Sequence, residues 1–146
     1  MSDKLKKKYQ NDFAVIYCMI TDAKSRALQQ VNSTLIDLYW NIGRYVSEKV
    51  EKDGWGKNVV EQLSIYVVSE NPSIKGFSAR NIWRMKQFYE TYKDHEKLSA
   101  VLTEISWTNH LHILSKTKST EEREYYLSLV AKHKPPFSNE IYFIIF

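Results

Sequence analysis

Arg80, Asn81, Arg84 and Gln87 fall within eight residues of one another in the stretch "KGFSARNIWRMKQFYETY", residues 75–92, with Trp83 among them. Arginine can hold a phosphate or bond guanine through two parallel N–H groups, and the carboxamides of Asn and Gln can bond adenine. On a helix Arg80, Trp83, Arg84, Gln87 and Thr91 share one side, while Ile82, Met85, Phe88, Tyr89 and Tyr92 share the other. The arrangement is therefore a candidate surface for reading DNA. It is equally the ordinary solvated face of a core helix, since charged outer faces are the rule. Trp83 fits the ordinary reading least well, because an indole left in water forgoes its burial energy. It marks a contact with another element, a partner or a ligand.

Other residue constellations point away from catalysis. His110 and His112 are two apart, which on a helix sends them to different sides, so they lack the four-residue spacing of a helical metal pair. Glu121 and Glu122 sit where a helix begins, and capping and the helix dipole account for them. No glycine-rich phosphate loop ending in lysine and a hydroxyl residue occurs, no G-x-S-x-G, and no cysteine beside a histidine partner. No catalytic residue, metal site or cofactor is expected. Cys18 is the single cysteine, which excludes an intrachain disulfide and agrees with a cytoplasmic location. No apolar run spans a bilayer, and "MSDKLKKKYQNDF" lacks the core of a signal peptide.

The elements that would carry these residues are helical. The 146 residues include four glycines and three prolines, too few turns for many short strands, and 43% apolar with 26% charged residues is a globular balance. One domain is expected. The formal charge of +4 permits contact with phosphates without requiring it. Residues 1–11, with the run "KLKKK", read as a basic flexible end; a helical domain follows over 12–134. A long helix is expected from about Asp12 to Val50, with an apolar seam at Leu28, Val31, Leu35, Leu38, Ile42 and Tyr45. This seam runs for under three heptads, so packing within the domain is favoured over a homodimer contact. After "KDGWGKN" a second helix spans about Lys57–Ser69, with Val59, Val60, Leu63, Tyr66 and Val67 on one face. Pro72 and Gly76 break it, and Ser78 is placed to cap the helix that carries Arg80 and Arg84.

A polar linker around "KDHEKLSA", a fourth helix near Thr108–Ser115 and a fifth over Thr120–Lys132 complete the pattern, the last opened by a capping box of Ser119 and Glu122. The fold class is thus mainly α, a helical bundle with a long first helix and a helix-turn-helix-like pair at 57–69 and 78–92. The connection between that pair exceeds the usual three or four residues. Residues 135–146 end in "IYFIIF", which is expected to pack on the helices or to drive self-association.

Five pieces in order, "VNSTLIDLYWNIGRYV", "GWGKNVVEQLS", "GFSARNIWRMKQFYETY", "SWTNHLHILSK" and "EEREYYL", give the chain a family likeness. It resembles the amino-terminal domain of the YhcG-like bacterial proteins, proposed PD-(D/E)xK nucleases, over about Val31–Leu127. Asn32, Tyr39, Trp40, Gly43, Trp55, Phe77, Ser78, Arg80, Asn81, Trp107, His110 and Arg123 are among the residues that match the pattern. The resemblance implies a helix-turn-helix or winged-helix domain that precedes a separate nuclease domain. Where such proteins continue, this sequence reads "KPPFSNEIYFIIF", so a non-catalytic DNA-binding module is expected, either a truncated or frameshifted product or a naturally short relative, with a separately encoded nuclease domain as one candidate partner. The alternative is a protein-interaction or dimerisation module of a nuclease or restriction-type complex.

Overall fold

The computed structural model describes residues 2–133. Helix α1 runs from Asp3 to Asp53, α2 from Lys57 to Glu70 and α3 from Ala79 to Tyr92. A short 3-10 turn at Glu96–Leu98 leads into the single-turn α4 at Ser99–Leu102, followed by α5 at Trp107–Lys116 and α6 at Thr120–His133. The chain is mainly α, as the scarcity of glycine and proline implies. No strand occurs among the described residues, so the α2–α3 pair has no β-ribbon wing there. The apolar tail, residues 135–146, lies outside them.

Helix α1 begins nine residues before the expected start. The Ser2 hydroxyl accepts from the Leu5 N–H at 3.3 Å, Asp3 sits in the positive first turn, and no glycine or proline interrupts the lysines that follow. The basic end is therefore helical and not a flexible arm. Its 51 residues span about 75 Å at 1.5 Å per residue. Gly54 ends it at φ 66°, a left-handed conformation that glycine adopts without a Cβ clash.

Only the second half of α1 enters the domain. Leu35, Ile36 and Tyr39 meet Met85, Phe88 and Tyr92 of α3, together with Leu102, Ile105, Trp107, Ile113, Leu114 and Leu127 from the later segments. Rings interlock at the centre, with Tyr39 and Trp107 at 4.7 Å between centroids and Phe88 edge-on to Trp107 at 5.4 Å. A second cluster of Val46, Val60 and Ile82 joins α1, α2 and α3. Buried Asn32 braces the two halves of the chain, its amide donating to the Thr103 and Ile105 carbonyls at 3.0 Å each. Those two carbonyls follow α4, so the bonds supply partners that a short helix end lacks.

The expected seam on α1 divides. Leu35 is buried and Leu28, Val31 and Ile42 are half-buried, whereas Leu38 and Tyr45 face outward. Seven-residue spacing holds them near one line, yet the domain approaches from one side of that line only. Helix α2 behaves similarly. Val60 is buried, Leu63 and Val67 are half-buried, and Val59 and Tyr66 are exposed. The "KDHEKLSA" stretch is more ordered than a linker, since it forms the 3-10 turn and the first half of α4.

Capping places α3. The Ser78 hydroxyl accepts from the Asn81 N–H at 3.1 Å, as the sequence implies. Replacing Ser78 by alanine removes that acceptor and should cost about 1 kcal/mol. Urea unfolding of the two proteins measures it, and an unchanged midpoint would show the cap contributes nothing. At α6 the Ser119 hydroxyl accepts from the Glu122 N–H at 3.2 Å, but the Glu122 carboxylate accepts from that same hydroxyl at 3.3 Å instead of reaching the backbone of Ser119. The box is half formed.

Candidate nucleic-acid interface

The segment entering α3 is fixed from two sides. The Ser64 hydroxyl of α2 donates to the Phe77 carbonyl at 2.7 Å, and the Asn81 amide donates to the Gly76 carbonyl at 2.5 Å. Gly76 takes φ 92°, which an L side chain would resist. The first turn of α3 is thereby locked against both α2 and α5, because the Asn81 carbonyl oxygen accepts from the Trp107 indole N–H at 2.9 Å.

This occupies both ends of the Asn81 amide, and the residue is half-buried. Asn81 thereby positions α3, and its side chain lines a groove beside Arg80 and Arg84. Its partner Trp107 lies 26 positions along the chain, too far for sequence spacing to reveal. Trp83 is accounted for as well. Its ring packs half-buried against the Val46, Val60 and Ile82 cluster, and the Lys86 ammonium stands 5.8 Å from the ring centroid. The indole's apolar body thus meets α1 and α2.

Arg80, Arg84 and Gln87 remain on the outer face. Arg80 is exposed, with no ion pair or hydrogen bond among the described residues. Arg84 is half-buried, and its Nη1 donates to the Gln87 side-chain oxygen at 3.2 Å, which fixes one guanidinium edge. The two arginines sit one helical turn apart, about 6 Å along the axis. They form a ridge between two open grooves. Gly76, Ser78, Asn81, Leu111, His112 and Ser115 line one; Lys57, Glu61, Ala79, Trp83 and Gln87 line the other.

His112 and Lys57 were not legible as neighbours of the arginines. The sequence shows only that His110 and His112 point to different sides of a helix, and they do: His110 is buried in the core, and His112 is exposed in the groove. Lys57 opens α2, where its ammonium adds to the positive end of that helix.

Glu90, whose charge would oppose an anion on this face, lies at the far end of α3. Burial works against its ionisation, yet hydrogen bonds from Lys86 at 2.9 Å and Ser47 at 2.8 Å outweigh that and hold its carboxyl below the usual range. The ridge at Arg80 and Arg84 is left as a cationic surface with Glu61 as the acid lining its grooves.

Among the described residues no group of three or more His, Cys, Asp or Glu side chains could hold a metal ion, and no helix is long and apolar enough to cross a membrane. Comparison with known families matches residues 15–139 to the DUF1016 N-terminal domain. Neither the curated proteins nor the solved structures yield a match. The chain belongs to the DUF1016 N-terminal domain family.

Proposed function

We propose, starting from that membership, that this domain binds DNA through the outer face of α3 and acts by binding alone. The observation that carries the reading is the ridge of Arg80 and Arg84. Both stand in the first half of α3, the part of a recognition helix that reaches a groove, and the Arg80 side chain has no hydrogen bond or ion pair among the described residues. Lys57 and His112 flank them with further N–H donors. The α2–α3 pair has the order of a helix-turn-helix with a long connection, residues 71–78. That connection is pinned by Ser64 and Asn81, so its length does not loosen α3. The likeness to proteins that carry a nuclease domain points to the same ligand.

Arg80 and Arg84 are the contact residues, Gln87 orients Arg84, and Trp83 and Asn81 hold the helix in place. If the guanidinium groups contact phosphates, Arg80→Ala and Arg84→Ala should each weaken binding to every duplex, and each should flatten the dependence of log K on log salt by about one unit. Fluorescence anisotropy of labelled duplexes at several salt concentrations measures this. A loss of about 1–3 kcal/mol confined to one preferred sequence would instead assign that arginine to a guanine edge. Equal binding by all three proteins, or none at low salt, removes DNA as the ligand of this face.

A further inference from the structure

The first half of α1 stands free of the domain. Every residue from Ser2 to Ala27 is exposed, although the run "FAVIYCMI" at 13–20 contains no charge and no turn former. Eight large side chains between Leu5 and Ile20 are each between 37% and 67% exposed. Five of them, Leu5, Tyr9, Phe13, Ile16 and Ile20, lie on one side of the helix and leave roughly 500 Å² uncovered, at the upper end of what a monomer ordinarily exposes in one patch.

The surface is ordered along the helix. At 100° per residue, Leu5, Tyr9, Phe13, Ile16, Ile20, Ala23 and Ala27 fall within about 80° of one another. The exposed Leu38 and Tyr45 continue the same line beside the domain. Asn11, Cys18, Asp22 and Ser25 lie opposite. A narrow straight stripe on a rod suits another helix, packed at the interaxial distance of about 8–10 Å.

We infer that the free half of α1 pairs antiparallel with the same segment of a second copy of this chain. Residue size along the stripe selects that partner and direction. In an antiparallel pair centred on Ile16, Tyr9 stands opposite Ala23, Leu5 opposite Ala27, and Ile16 opposite its own copy. At both ends of the pair a large side chain then meets a small one, as close packing favours. A parallel pair would set Tyr9 against Tyr9 and Ala23 against Ala23, crowding one end and leaving gaps at the other. It would also put the lysines at 4, 6, 7 and 8 against their own copies, whereas the antiparallel pair sets them against a segment with two cations, Lys24 and Arg26. The contact is isologous and closes on itself, giving a dimer and no filament.

Sedimentation equilibrium of the full chain tests this, together with cysteine cross-linking in a Cys18→Ser background. The wild type is expected to be a dimer whose association does not weaken as salt rises, since its cations are alike and its contact is apolar. Ile16→Asp should weaken dimerisation at least about a hundredfold, because the contact would bury an unpaired carboxylate. Its helical content within the domain and its thermal midpoint at monomer concentrations should be unchanged, since Ile16 touches no core residue. Mixing Tyr9→Cys with Ala23→Cys protein should give the mixed disulfide in preference to either homodimer. A wild type that stays monomeric at all concentrations overturns the inference. So does a dimer indifferent to Ile16→Asp, or a Tyr9→Cys homodimer as the main product. Binding to anionic phosphatidylserine vesicles by a monomeric wild type would also overturn it, and would assign the stripe to a lipid surface. DNA binding through Arg80 and Arg84 stands or falls separately, because neither arginine lies on this stripe.

Discussion

Gly43→Ala is expected to lower the thermal midpoint by about 5–10 °C, a net loss of about 2–3 kcal/mol. Alanine normally favours a helix interior over glycine by about 1 kcal/mol, so the sign runs against propensity. The cause is the approach of α3. A Cβ built on Gly43 would overlap the Met85 carbonyl oxygen and stand 2.6 Å from its carbon, both backbone atoms of the facing helix. Backbone cannot swing aside as a side-chain end can, so α1 and α3 must separate. That contact is the most extensive between elements in the fold, and it holds Tyr39, Val46, Ile82, Met85 and Phe88 together. Two other glycines serve as controls. Gly56→Ala meets nothing within 4 Å and should be nearly neutral, while Gly54→Ala meets nothing but must adopt φ 66° and should lose about 1 kcal/mol. Circular dichroism melts of the three variants give the order. A Gly43→Ala protein as stable as wild type would mean that the helices are not in contact there.

Gly43 also shows where sequence reading stops. Within "LYWNIGRYV" it reads as a weak point in a long helix, because its role depends on which turn of α3 crosses it. Local chemistry, by contrast, was legible. Ser78 caps α3, Ile82, Met85 and Phe88 form its buried side, and Pro72 with Gly76 breaks the chain before it. These follow from dihedral preference and from periodicity, which act over a few residues. Side chains whose partners are distant in sequence were not legible. Asn32 and Asn81 display the same amide whether they read a base or bridge carbonyls and indoles 71 and 26 positions away. The lysines at 4 to 8 were similarly ambiguous, because an exposed helix and a solvated coil have the same composition. Only the Ser2 cap and the uninterrupted apolar run that follows distinguish the two. For the candidate interface this means that Arg80, Arg84 and Gln87 were identifiable as a face, while the grooves on either side, with Lys57 and His112, needed three helices to be placed.

Acid should unfold this domain earlier than carboxylate titration alone would, and His110 is the reason. Its ring is fully buried among Phe88, Tyr92 and Trp107, at centroid distances of 4.8, 6.4 and 6.4 Å. Its Nε2 lies 2.8 Å from the Leu102 carbonyl, which can only accept, so Nε2 carries the proton and donates. The buried Nδ1 has no hydrogen-bond partner among the described residues. Burial therefore lowers the pKa to about 4 from its ordinary 6.5, with the bond to Leu102 offsetting only part of the shift. A histidine that is harder to protonate when folded makes the unfolded chain the better proton acceptor. Its contribution is thus complete above pH 6.5 and declines as the pH falls, vanishing below about 4. The span corresponds to about 3 kcal/mol. Glu90, held below the usual carboxylate range, adds a loss in the same direction but in more acidic solution. His110→Gln separates the two, since a glutamine amide can donate to Leu102 and does not titrate. The variant should be less stable than wild type at pH 7.5 by about 1–2 kcal/mol, because an amide fills the ring's space poorly and buries a second donor. Between pH 6.5 and 4.5 its unfolding free energy should fall less steeply than that of wild type, so that the two curves converge or cross. Urea unfolding at half-unit pH steps measures both curves. Parallel curves would mean that His110 protonates as readily inside the fold as outside it, and that the ring does not sit sealed between α3, α4 and α5.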